Sequence, residues 1–189
     1  LLCLAAMPFI TALLGFLFLK ETISVNVWIA IIVAAIGIII MSIDHTGKNT
    51  FTGLIFGISS SIGFSVFSIS LRWRKETPKF TTVAIAGLFC CFFSAAMIIF
   101  NDLNFLSTGK NQALFASHGT LVCLGLILYS IGSKYIPAAE LTLLSLTEVI
   151  GGIFWVWIPI LGINEIPSQG TIIGGFFIFF SIIYYSLII

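Results

Sequence analysis

Apolar residues in this chain fall into long unbroken runs, not the alternating or narrow-stripe patterns of a water-facing fold. There are seven such runs, at residues 1–19, 25–43, 51–71, 82–100, 119–133, 138–163 and 171–189. The polar breaks between them hold nearly all the charge. They carry Lys20 and Glu21; Asp44, His45 and Lys48; Arg72, Arg74, Lys75, Glu76 and Lys79; Asp102 and Lys110; Lys134; and Glu165. A helix needs roughly 20 apolar residues to cross a hydrocarbon core of about 30 Å, because it rises about 1.5 Å per residue. In lipid every backbone polar group must be paired internally, so the runs predict helices. Barrel strands would alternate with period two, and residues 29–43 do not. The expected fold class is an all-α polytopic membrane protein with seven transmembrane helices.

Composition sharpens this. Of 189 residues, 59% are hydrophobic and 8% charged, with a mean hydropathy of +1.20. A soluble domain carries about 25% charged residues, so a soluble enzyme and a secreted disulfide domain are excluded. Eight Lys and Arg against seven Asp and Glu leave a net charge of +1. That gives no basic stripe for phosphates, so nucleic acid is not an expected partner. Cys3, Cys90, Cys91 and Cys123 sit inside apolar runs without C-x-x-C spacing or a companion His, and are expected to be small polarisable core residues. No metal site and no cofactor are expected. The opening LLCLAAMPFITALLGFLFL lacks the charged start of a signal peptide and begins inside a hydrophobic segment, as a fragment would.

Alternate breaks differ in basic residues. Lys20, Arg72, Arg74, Lys75, Lys79 and Lys134 collect on one side, whereas the other has Lys48 and Lys110. By the positive-inside tendency the 72–79 loop and the C-terminus are cytoplasmic, in a multi-pass protein of the inner or plasma membrane.

The first two runs also resemble the last two. Glu21-x-x-Ser24 matches Glu165-x-x-Ser168; nine residues past each Glu stands Ala30 or Gly174, and sixteen past stands Gly37 or Ser181. Each Ser precedes an apolar run and is placed to cap the next helix. The period is then five spans. An odd period inverts one copy relative to the other, and inverted repeats place a substrate site near the midplane. Residues 1–43 would be the last two helices of a first repeat, and residues 51–189 a complete second repeat. Three spans, roughly 80–90 residues, are expected upstream.

The stretches PFITALLGFLFLKETIS from Pro8, SKYIPAAELTLLSLTEVIGGIFWVW from Ser133 and NEIPSQGTIIGG from Asn164 resemble the EamA-type transporters of the drug/metabolite transporter superfamily. The resemblance spans the whole chain, as helices four to ten. It implies ten helices in two inverted five-helix halves, and movement of small metabolites.

Within that frame Glu148 is the leading candidate. It lies eight residues past Glu140, about 12 Å into its span, where a charge costs about 2.5–3.5 kcal/mol and so faces a cavity or carries a proton. On a continuous helix Leu141, Leu144, Ser145, Gly151, Gly152 and Trp155 share its face. A carboxyl, a hydroxyl, bare glycine backbone and an indole suit an amine-bearing or ring-bearing solute. Glu140, in a first turn, reads as structural. In the third run Gly57, Ser61, Ser65 and Ser68 share a face, with Arg72 at its end; small residues at this spacing pack helices or line a pathway. Gly170-x-x-x-Gly174 reads as packing. Tyr129 is a cavity candidate, Tyr135 an interfacial anchor, and His45 and His118 interfacial.

No catalytic motif is present, so an enzyme is not expected. The expected function is a secondary carrier, an exporter by preference, of small organic metabolites by alternating access. Its partners are a small-molecule solute and the lipid bilayer, with protons a candidate coupling ion; oligomeric state, solute and direction are left open by the sequence. The alternative is a membrane enzyme, or a flippase or scaffold subunit, acting on lipid-linked substrates. The repeat carries its own test: the coding sequence upstream should hold three further apolar runs, and their absence removes the inverted-repeat argument.

Overall fold

Long runs of Ala, Val, Ile, Leu and Phe can close their backbone hydrogen bonds in lipid only as helices, and every regular element among the described residues is helical. The computed structural model describes residues 2–43, 51–74, 76–101, 109–157 and 167–188. The helices are α1 (Leu2–Leu14), α2 (Val25–Ile43), α3 (Phe51–Trp73), α4 (Lys79–Phe100), α5 (Gly109–Gly132), α6 (Ala138–Ser145), α7 (Thr147–Trp157) and α8 (Gln169–Ile188). Six helical stretches among the described residues are long and apolar enough to cross a membrane. They include Ala138–Trp155, which takes in α6 and most of α7, while the first expected span is represented by a shorter apolar stretch, Ala6–Leu19.

The chain divides into two compact units, residues 1–73 with 136–189, and residues 74–135. This division follows packing and differs from the repeat boundaries at 43 and 51. In the second unit α4 and α5 pack on each other. Nearly all of their side chains are exposed, including Phe89, Phe92, Phe93 and Leu128, an apolar surface suited to lipid rather than water. Cys90, Cys91 and Cys123 are exposed free thiols, not core residues as expected. A small apolar side chain is as well solvated by lipid as by protein, so burial does not follow from hydrophobicity here. α5 also starts at Gly109, earlier than the run at 119 implied. Polar residues such as Asn111, Gln112 and His118 are accommodated in its first turns.

In the first unit the main pairings are α2 with α8 and α1 with α3. The buried positions of α2 (Ala30, Ala34, Gly37, Ile38, Met41) and of α8 (Thr171, Gly174, Ile178, Ser181, Tyr185) each recur every three or four residues, one face per helix. The two helices run antiparallel. At one level the backbones of Gly37 and Gly174 touch: a Cβ on Gly37 would lie 2.6 Å from the Gly174 carbonyl oxygen, and one on Gly174 would collide with the Gly37 carbonyl and Met41. Two turns away the Ser181 hydroxyl donates to the Ala30 carbonyl at 2.6 Å. Both helices open with the same cap. Ser24 Oγ accepts from the Val27 N–H at 3.4 Å, and Ser168 Oγ from the Thr171 N–H at 3.1 Å.

α1 ends in a π-helical turn, Gly15–Leu19, closed by Lys20 in the left-handed region at φ 55°. The N–H groups of Lys20 and Glu21 both donate to the Gly15 carbonyl, which aims the Glu21 side chain back across the helix ends.

The glycine contact predicts a graded mutational response. Gly37→Ala and Gly174→Ala should each lower thermal stability in detergent, by about 1–3 kcal/mol for overpacking. Gly63→Ala in α3, whose Cβ would meet nothing within 4 Å, should be neutral or slightly stabilising. Equal effects at all three positions would show that close approach is not what holds α2 to α8.

Candidate functional site: carboxylates at helix ends

The run at 138–163, expected as one helix, is broken at Leu146. Hydroxyls explain the break. Thr142 Oγ1 donates to the Ala138 and Ala139 carbonyls, Ser145 Oγ to Thr142, and Thr147 Oγ1 to Leu144, so three side chains in six residues compete with the backbone for acceptors. The backbone tightens to compensate, with Leu146 N–H donating to the Leu143 carbonyl and Val149 N–H to that of Leu146. The consequence is a second helix start inside one span.

Glu148 stands in the first turn of α7, where the helix dipole favours a carboxylate. The break corrects the expected continuous face. Ser145 belongs to α6, while Glu148, Gly151, Gly152 and Trp155 remain together on α7. Glu148, Gly152 and Trp155 are exposed, and Gly151 is half-buried. An apolar cavity of about 320 Å³ between α7 and α8, lined by Ile150, Phe154, Thr171 and Phe176 among others, does not include Glu148.

The serines of α3 are placed elsewhere. Ser61, Ser65 and Ser68 are buried, and their hydroxyls donate to the carbonyls four residues back, of Gly57, Ser61 and Phe64. Ser65 also reaches the Met7 carbonyl at 3.3 Å, an acceptor that α1 shares with the hydroxyl of Thr11. This stripe seats α3 against α1, and the structure does not bring it to Glu148. Tyr129 lies on α5, in the second unit.

Two carboxylates that the sequence left in background roles acquire partners. Glu21 Oε1 accepts from Arg72 Nε at 2.7 Å, and Oε2 accepts from the Ala138 N–H at 3.4 Å. Their side chains are 22% and 10% exposed respectively. One carboxylate thus ties the α1–α2 connection to the end of α3 and the start of α6, where Pro137 precedes the first helical residue. Glu140, in the first turn of α6, accepts from the Tyr185 hydroxyl at 2.5 Å. Together with Ser24, Asn26, Val27 and Ile188 these two line a cavity of about 370 Å³. The end of α1, the start of α2, the ends of α3 and α8 and the start of α6 therefore gather at one end of this unit. Alternating breaks at 20–21, 72–79 and 134 required that gathering. Tyr185 escaped the sequence reading, although it shares the face marked by Gly174, Ile178 and Ser181. His45, Asp44, Lys48, Asp102 and Glu165 lie outside the described residues.

No family model and no curated protein sequence matches the chain.

The Glu21 contacts predict strong coupling. Glu21→Gln and Arg72→Gln should each cost on the order of 3 kcal/mol in reversible unfolding in micelles, since each removes the charge-assisted bond of a mostly buried pair. The double variant should cost much less than the sum. Additive losses would mean the pair is incidental.

Proposed function

We propose that the chain belongs to a secondary carrier of EamA type, moving a small organic solute by alternating access. The observation that carries this reading is the exchange of partners between α2 and α8. Ala30 and Gly174 are the ninth residues past the two matching glutamates, and Gly37 and Ser181 the sixteenth. In the fold Gly37 meets Gly174 and Ser181 meets Ala30. Each position of one copy pairs with the other position of its counterpart, as two elements related by a two-fold axis in the membrane plane must do. Ser24 and Ser168 cap their helices through equivalent N–H groups. Carriers built on inverted repeats place solute sites near the midplane, beside discontinuous helices, and α6–α7 is such a helix. On this reading Glu148 is the group that meets solute or proton, with Gly151, Gly152 and Trp155 beside it. The end bearing Glu21, Arg72 and the C-terminus faces the cytoplasm.

The test is flux in vesicles across a metabolite panel, with and without a pH gradient. Saturable flux of one compound class is expected, falling at least tenfold in Glu148→Gln with normal folding. Unchanged flux in that variant would remove Glu148 from the mechanism. Absence of flux for every compound, from folded protein, would favour a role on lipid-linked substrates or as a scaffold.

A further inference from the structure

The Glu140 cavity lies at the opposite end of the α6–α7 span from the tip of α7, and the proposed transport chemistry does not use it. Its composition is unusual for a helix end in a membrane. Among the described residues Glu140 has one hydrogen-bond donor, the Tyr185 hydroxyl on Oε2, and no cation paired with it. Oε1 is left for a ligand. Tyr185 is itself buried, so its ring and oxygen are fixed as one wall. Ser24 and Asn26 are exposed at the start of α2, where Ser24 Oγ takes the Val27 N–H and the N–H groups of Val25 and Asn26 have no intrahelical acceptor by position. Val27 and Ile188 supply the apolar side of the cavity. A negative pole, Glu140, therefore faces a positive pole, the α2 start, across about 370 Å³.

A cation alone would be favoured by the first pole and opposed by the second, and an anion the reverse. A zwitterion with a primary ammonium a few bonds from a phosphate satisfies both. The cavity sits where α2 and α6 begin and α8 ends, and the ends of membrane-spanning helices lie at the level of lipid headgroups. The outward face of α2 beyond it is apolar, with Ile29, Ile32 and Ile36 exposed. From this geometry we propose that the Ser24–Asn26–Glu140–Tyr185 cavity binds the ammonium–phosphate headgroup of phosphatidylethanolamine. The ammonium donates to Glu140 Oε1, the phosphate accepts at the start of α2, and the acyl chains run along the exposed isoleucines. Selectivity follows from donors: a primary ammonium has three N–H groups for a carboxylate, whereas the trimethylammonium of phosphatidylcholine has none.

The site concerns lipid occupancy, and its test is independent of transport. The protein is purified in mild detergent and mixed with equimolar phosphatidylethanolamine and phosphatidylcholine, and the adducts are counted by native mass spectrometry. Phosphatidylethanolamine adducts should dominate roughly fivefold, and the preference should vanish in Glu140→Gln while surviving in Glu148→Gln. If Glu140→Gln does not fold, N-methylated headgroups on the unaltered protein decide the matter. The preference should fall stepwise with each methyl added. Soluble phosphoethanolamine distinguishes the source of the headgroup and should displace the lipid only weakly. Equal adducts of both lipids, a preference untouched by Glu140→Gln or by methylation, or displacement by phosphoethanolamine at concentrations comparable to the lipid's would each overturn the assignment.

Discussion

The contact between the Gly37 and Gly174 backbones sets the rest of the first unit. Lipid tails solvate a leucine as well as another helix does, so helices in a bilayer gain little from burying apolar area. What remains is dispersion and hydrogen bonding, and both need short distances. Two glycines allow that approach, with Ala30 and Ala34 continuing it along α2. Only at this separation can the Ser181 hydroxyl reach the Ala30 carbonyl. The register then becomes specific. Phe177 and Ile178 already close around Gly37, at 2.9 and 3.1 Å from where its Cβ would lie, so no larger side chain fits at that level. With the register fixed, the Ser24 cap and Tyr185 come to the same end, and the Glu140 cavity is a consequence.

Glu21 performs a related service in polar chemistry. A chain of apolar helices has few groups that tell one neighbour from another. A carboxylate that holds a guanidinium on α3 with one oxygen and the first N–H of α6 with the other specifies three elements at once. The π-helical turn and the left-handed Lys20 are the local cost of aiming it. A left-handed residue with a side chain costs about 1–2 kcal/mol, comparable to one charge-assisted hydrogen bond, so one of the two bonds that Glu21 makes offsets it and the other is a net gain.

Much of this was legible in the sequence. The bounds of α2 were read without error, and those of α3 and α8 within two residues, because lipid demands continuous apolar runs and polar residues end them. The two serine caps were legible because N-cap chemistry is local. Three features were not. The break at Leu146 depends on which acceptors the hydroxyls of Thr142, Ser145 and Thr147 choose, and hydropathy is blind to that choice. The outward placement of Cys90, Cys91 and Cys123 was missed because an apolar residue in a membrane helix reveals no side. The Glu21–Arg72 pair joins residues 51 positions apart; the sequence placed both on one side of the membrane and had no means of joining them. The α3 serines were read with both roles open, and their bonds to carbonyls of α3 itself and of α1 favour packing.

The two halves of the broken span present the same local chemistry at two depths. Each begins with a carboxylate in its first turn, Glu140 in α6 and Glu148 in α7, eight residues apart. The shallow one has a hydroxyl donor and a cavity at the helix ends. The deep one has the dipole of α7, worth about 0.3–1 kcal/mol, against an insertion cost of about 2.5–3.5 kcal/mol for a charge at mid-span. Roughly 2 kcal/mol is left unbalanced. That remainder is far more than a structural carboxylate needs to carry, since a leucine in its place would cost nothing. α6 is held by α1, α2 and α3, whereas α7 packs chiefly on α8. The unbalanced charge therefore sits on the more lightly held half of the span.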